Sequence, residues 1–169
     1  VIDIVDFDVV AWMRGEMRLM LNEELARAIL IGDGRSSESD DKINETNIRP
    51  IYTDVDLYAI HKVVPFETAY KDLVDVIVLA SIDYRGSGSP TMFTTKEFLT
   101  NVLLMKDSLG RRLYQTKADL ASALLVSDIV DVAVFKDVTR VVGADTRSLL
   151  AIIVNLQDYN IGADKGGEV

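Results

Sequence analysis

The sequence predicts an α+β fold: a long helix followed by a mixed α/β body with a short central sheet. A proline-free stretch from Asp8 to Ile31 repeats its apolar residues at helical spacing, and several short apolar runs are bounded by turn formers. Helix and strand signals then follow one another without regular β-α-β alternation, and no internal repeat is visible.

In the first element Met13, Met17, Met20, Leu21, Leu25, Ala28 and Ile29 recur every three or four residues, which predicts a helix with one apolar stripe. Arg14, Arg18, Glu23 and Arg27 take the other face, with Glu23 four residues before Arg27 as helix ion pairs prefer, and Asp6 or Asp8 can cap the start. Gly32 supplies the stop. At roughly 1.5 Å per residue the helix is about 35 Å long, a rod suited to a scaffold. The methionine stripe reads as core, with an adaptable partner surface as the alternative because methionine fits irregular neighbours.

The segment Gly32 to Asp41 is turn formers and charge, hence an exposed loop. Leu57, Tyr58, Ile60, Val63 and Val64 mark a strand over Asp56 to Val64, closed by Pro65, which also fits the first turn of the next helix. Phe66, Ala69, Tyr70, Leu73, Val74, Ile77 and Ala80 carry that helix, and Gly86-Ser87-Gly88-Ser89-Pro90 separates it from a short strand, Thr91 to Phe93. Thr94 with Glu97 forms a capping box ahead of Phe98, Leu99, Val102, Leu103 and Leu109; Gly110 ends the helix, so that Arg111 and Arg112 can meet its dipole, with a carboxylate on a neighbouring subunit as the alternative. Thr116 with Asp119 opens a short helix through Leu120, Ala123 and Leu124, and Ile129 to Phe135 and Leu149 to Val154 are the last strands.

The 169 residues are one domain's worth, and 49% hydrophobic with 27% charged residues is the balance of a soluble globular protein. A net charge of −9 opposes sequence-independent binding to phosphate backbones. The absence of cysteine excludes disulfides, thiolate zinc sites and thiol nucleophiles. No apolar run is long enough to span a bilayer and no secretory leader is visible, so no membrane partner and an intracellular place of assembly are expected. Val1 is not a methionine and the chain closes on Gly-Gly-Glu-Val, so both ends read as cuts through a longer polypeptide.

No constellation reads as catalytic, cofactor-binding or metal-binding. His61 has no second His or Cys to join it and reads as structural. Gly32-Asp33-Gly34 follows a helix instead of preceding one and lacks the Lys-Ser/Thr of a phosphate loop. Glu38, Asp40 and Asp41 lack the register of a calcium loop, and the serines at 36, 37, 39, 87 and 89 do not form a nucleophile elbow.

The run Trp12-Met13-Arg14-Gly15-Glu16-Met17-Arg18-Leu19-Met20-Leu21-Asn22-Glu23-Glu24-Leu25-Ala26-Arg27-Ala28-Ile29-Leu30-Ile31-Gly32-Asp33-Gly34-Arg35 resembles the long spine helix and following turn of the major capsid proteins of tailed bacteriophages and prophages. Ile48-Arg49-Pro50-Ile51, then Leu103-Leu104-Met105-Lys106-Asp107-Ser108-Leu109-Gly110-Arg111-Arg112-Leu113-Tyr114, similar to that family's Leu-Lys-Asp-x-x-Gly-Arg-Tyr, then Leu120 to Val132, follow in the family's order. These are packing and turn motifs, and their order together carries the resemblance.

The resemblance implies the Hong Kong phage capsid fold. Residues 1–35 are then part of a peripheral domain with the spine helix, 36–47 an exposed loop, 48–155 an axial domain, and 156–169 a flexible return segment. The family's N-terminal arm, extended loop and C-terminal peripheral strands have no counterpart here, so the chain is expected to be a core fragment. The implied function is that of a structural virion protein, self-assembling into hexamers and pentamers of an icosahedral shell around phage DNA. It implies no enzyme activity and no cofactor; scaffold, maturation protease and portal proteins as partners; no specific nucleic-acid binding; and a place in the virion capsid after assembly in the bacterial cytoplasm. Three alternatives stay open: an encapsulin-type compartment shell, an acidic metal-assisted hydrolase using Asp33, Asp40, Asp41 and His61, and a small acidic adaptor docking through the first helix.

Overall fold

The residues from Val9 to Leu30, free of proline, form a single helix of 22 residues, α1, in a computed structural model that describes residues 9–36, 38–44, 48–65, 67–142 and 144–160. The fold is α+β, and the chain divides into two units, Val1–Val55 and Asp56–Val169. Residues 48–55, read from the sequence with the second domain, thus group with the first unit. Asp6 and Asp8, the expected caps of α1, lie outside the described residues.

Ile31 and Gly32 both donate their N–H to the Arg27 carbonyl, and Gly32 ends the helix at φ 85°, a left-handed conformation that a side chain disfavours. Contrary to the expectation of a core stripe, only Ala28 and Leu30 of α1 are buried; Met13, Met17, Met20, Leu21 and Leu25 are exposed. Apolar residues such as Leu19 lie outside the stripe as well, and only the last turn of α1 is covered by the segments that follow it in its own unit. Among the described residues no Glu23–Arg27 ion pair forms, because Arg27 turns its guanidinium over Gly34, leaving its Nε buried and without a partner.

In the second unit the helices are α2 (Tyr70–Ala80), α3 (Lys96–Leu103) and α4 (Lys117–Ala123). The strands are β1 (Thr91–Thr94), β2 (Asp128–Asp131), β3 (Thr139–Val142), β4 (Asp145–Ser148) and β5 (Ala151–Val154). β1 is central in a sheet of order β2-β1-β5, parallel to β2 with Met92 opposite Ile129, and antiparallel to β5 with Met92 opposite Ile153. β3 and β4 form a separate antiparallel ribbon. The core gathers Leu73, Val74 and Ile77 of α2, Phe98 and Val102 of α3 and Leu120 of α4 around Met92 and Ile129. Tyr70 packs its ring 6.1 Å from that of Phe98 and accepts a 2.8 Å hydrogen bond from Asn101.

Several expected elements differ. Asp56 to Val64 is not a strand: its apolar residues lack a period of two, and a turn at 56–58 precedes a stretch with no neighbouring strand. The helix starts at Tyr70 rather than Pro65, since the Pro65 carbonyl instead accepts both the N–H and the hydroxyl of Thr68; Phe66 lies outside the described residues. Thr95, not Thr94, caps α3, accepting from the Phe98 N–H at 3.2 Å. Thr94 is fully buried at the end of β1 and donates its hydroxyl to the Leu150 carbonyl at 2.9 Å.

α3 stops at Leu103, well before Gly110, and Ile129 to Phe135 splits into β2 and a 3-10 turn at Ala133–Phe135. β3 and β4 were not expected. Residues Leu156–Asp158 form a 3-10 turn tied to the 84–90 loop, where Asp158 accepts from the Ser87 N–H at 2.7 Å and from its hydroxyl. The Thr116 and Asp119 capping box of α4 forms as expected.

α4 ends with Leu125 N–H on the Ser122 carbonyl and Val126 N–H on the Ala121 carbonyl, a Schellman turn whose left-handed position, at φ 59°, is held by exposed Leu125 instead of glycine. A left-handed non-glycine residue costs about 1–2 kcal/mol. Leu125→Gly is therefore expected to stabilise the second unit by about 1 kcal/mol and to raise its thermal midpoint by several degrees. An unchanged or lower midpoint in differential scanning calorimetry would show that the leucine side chain offsets the strain.

Candidate functional site

The acidic loop after α1 is built around one carboxylate. Asp33 is buried, unlike the surface position expected of it, and accepts from Lys42 Nζ at 2.5 Å, the Ile43 N–H at 2.8 Å and the Arg35 N–H at 3.2 Å. Burial by itself would raise its pKa. The hydrogen bonds from Lys42, Ile43 and Arg35, with the Lys42 charge, outweigh burial and hold it at about 2 against an ordinary 3.8. Arg35 also donates to the Asp41 carbonyl at 2.8 Å, so the two ends of the loop are tied together. The side chains of Glu38, Asp40 and Asp41 are exposed around this closure.

Asp33, Asp40 and Asp41 lie in the first unit and His61 in the second. Among the described residues no group of three or more His, Asp or Glu side chains is placed to hold a metal ion. His61 stands in an irregular segment, its Nδ1 2.8 Å from Asp56 Oδ1 and its Nε2 3.3 Å from an Arg140 guanidinium nitrogen. Donation from Arg140 to Nε2 leaves the ring proton on Nδ1, facing Asp56.

The Lys106-Asp107-Ser108-Leu109-Gly110-Arg111 motif forms a tight turn. Asp107 Oδ1 accepts from the N–H groups of Leu109 (2.8 Å) and Arg111 (2.9 Å), and Oδ2 accepts from Arg111 Nε at 3.1 Å. The Arg111 N–H in first place, with the Leu109 N–H and the Arg111 guanidinium, outweighs the opposing effect of burial and holds the Asp107 carboxyl below its usual range. Gly110 adopts φ 80° within this turn, so it is a hairpin glycine and not a helix stop, and Arg111 meets a carboxylate instead of a helix dipole.

The most extensive unusual feature is apolar surface. On α1 Val9, Val10, Trp12, Met13, Met17, Leu19, Met20, Leu21 and Leu25 are all exposed, Met17 at 66% and Leu21 at 67%. In the second unit Leu57, Ile82 and Leu109 are each more than 70% exposed. Scattered exposed apolar residues are ordinary, whereas a contiguous set along one helix marks a contact surface. Among the described residues no helix is long and apolar enough to cross a membrane. The candidate site is therefore the exposed length of α1.

Comparison with protein-family models, curated proteins and solved structures finds no match to any of them.

The anchoring role of Asp33 is not legible from its neighbours, since Gly32-Asp33-Gly34 also reads as a plain turn; the one signal is a lysine at 42 beyond the acidic run. The lowered pKa has a definite sign. Protonation is disfavoured in the folded state, so stability from this contact is complete above about pH 4 and is lost as pH falls toward 2. A carboxyl-carbon NMR titration is expected to give Asp33 a midpoint near 2, and Asp33→Asn to cost about 1.5–3 kcal/mol at neutral pH. A midpoint at 3.8 would mean that the Lys42 and Ile43 contacts do not persist in solution.

Proposed function

We propose that this chain is a shell subunit, a major capsid protein of a tailed bacteriophage or prophage with the Hong Kong phage capsid fold, which acts by assembling with copies of itself into hexamers and pentamers around DNA. The observation that carries the reading is α1: a 22-residue helix whose apolar side chains stay exposed along most of its length. A helix of this kind needs neighbours, and a shell supplies them by symmetry, summing many modest contacts over many copies.

Two further features support it. The α+β second unit, with helices packed on a short sheet, suits an axial domain at a capsomer centre. The Asp107 turn gives the capsid-like Lys-Asp-x-x-Gly-Arg run a physical role, because aspartate closes the turn, glycine takes the left-handed position and arginine pairs with the aspartate. On this reading the net charge of −9 limits adhesion of the inner surface to packaged DNA. Scaffold, maturation protease and portal proteins are the partners such a subunit would meet.

The test is negative-stain electron microscopy of the protein expressed from its complete reading frame. Closed shells of uniform diameter are expected. Met17→Glu combined with Leu21→Glu is expected to abolish them while the second unit keeps its fold, since both side chains are solvent-exposed within the chain. Small discrete particles from the unsubstituted protein, in the presence of its own scaffold, would overturn the shell reading.

A further inference from the structure

Among the described residues, no side chain of β3 or β4 belongs to the hydrophobic cluster around Met92 and Ile129. Strand residues alternate between faces, so Thr139 and Val141 share one face of the ribbon with Ser148 and Thr146, while Arg140 lies on the other, directly opposite Arg147. The first face is open to solvent, and both arginines of the second are half-buried. That second face reaches His61, whose Nε2 accepts from the Arg140 guanidinium at 3.3 Å while its Nδ1 lies 2.8 Å from Asp56 Oδ1. A polar contact to one imidazole nitrogen thus joins the ribbon to the 56–64 segment.

An imidazole accepts at Nε2 only while that nitrogen carries no proton. Its charge ordinarily changes between pH 5 and 8, and His61 is the one histidine of the chain. Once protonated, the ring bears an N–H at both nitrogens, so Nε2 turns from acceptor into donor and faces a guanidinium that can only donate. The surrounding charges decide the sign. Asp56, on the same segment, attracts the cation, but its side chain is 92% exposed against 28% for His61, so water screens that attraction. Arg140 of β3 and Arg147 beside it on β4 are half-buried, and both oppose a third positive charge. Lys62 is turned to Asp83, and Asp145, two residues before Arg147, is exposed.

We infer that His61 is a proton-operated clasp for the β3–β4 ribbon. Neutral His61 accepts from Arg140 and holds the ribbon against the 56–64 segment; protonated His61 gives up that bond and lets the ribbon open. The three-stranded sheet and its helices stay closed, because Met92, Phe98, Leu120 and Ile129 at their centre carry no titratable group. One hydrogen bond gives such local control where the described ribbon residues add nothing to the core. The inference does not rest on the shell reading, since it concerns the second unit alone.

The test is amide hydrogen exchange of the full 169-residue chain at pH 7.5 and 5.5, with each rate corrected for the intrinsic pH dependence of exchange. Protection of residues 139–148 is expected to fall about fivefold at the lower pH, while that of β1, β2 and β5 stays within about twofold. His61→Gln carries an acceptor at the position of Nε2 and no titratable group, so it is expected to keep the ribbon protected at both pH values. Arg140→Ala is expected to leave the ribbon weakly protected at both. Proton NMR of the single imidazole follows the same event directly, and its titration midpoint is expected to coincide with that of ribbon opening. Ribbon protection that does not change with pH overturns the inference, as does a His61→Gln chain that loses protection as steeply as the unsubstituted one. Two midpoints more than about one pH unit apart would overturn it as well.

Discussion

Four residues, Thr91 to Thr94, pair with one strand parallel on one side and one antiparallel on the other, and the second unit is organised by what that arrangement demands. A parallel neighbour cannot be reached by a tight turn, so the chain between β1 and β2 must make a crossover, and it does so as α3 and α4. Those helices, with α2, cover the face that carries Met92, which together with Ile129 is completely withdrawn from water. At the end of the strand Thr94 is equally buried, and its hydroxyl is satisfied by the Leu150 carbonyl just before β5. One short strand therefore ties together segments far apart in sequence.

The first unit follows a different logic. Its order comes from polar contacts, with a buried aspartate gathering a lysine and two backbone N–H groups so that the loop after α1 closes on itself. Most of the apolar side chains of α1 take no part in that closure. Removing such surface from water is favourable at roughly 25 cal/mol per Å², a driving force that the chain alone leaves largely unused along this helix. The shell proposal gives this surface an outlet in contacts between copies, and that is its physical content.

Much of the local structure was legible. The helical run of α1 and its end at Gly32 follow from the proline-free periodic spacing and the glycine, and the α4 capping box from Thr116 and Asp119. The cap of α3 is Thr95 and not its neighbour Thr94 because strand pairing, and not local chemistry, decides which of the two threonines is buried. Asp56 to Val64 has the composition of a strand, yet a strand requires a partner and its apolar residues do not alternate. The β3-β4 ribbon has no sequence signal for the converse reason: β4 in particular, Asp145-Thr146-Arg147-Ser148, is polar and is a strand only because its backbone pairs with β3.

The α+β class, the helical run of α1 up to Gly32, the capping box of α4 and the absence of cysteine were determined by the sequence itself, because spacing, capping hydrogen bonds and composition act within a few residues. Only the tertiary structure decided which apolar residues are covered. The same three-and-four spacing puts Leu73 and Ile77 of α2 in the core and leaves Met17 and Leu21 of α1 in solvent. Periodicity places side chains on one face of a helix, but burial depends on what the rest of the chain, or another copy of it, brings against that face.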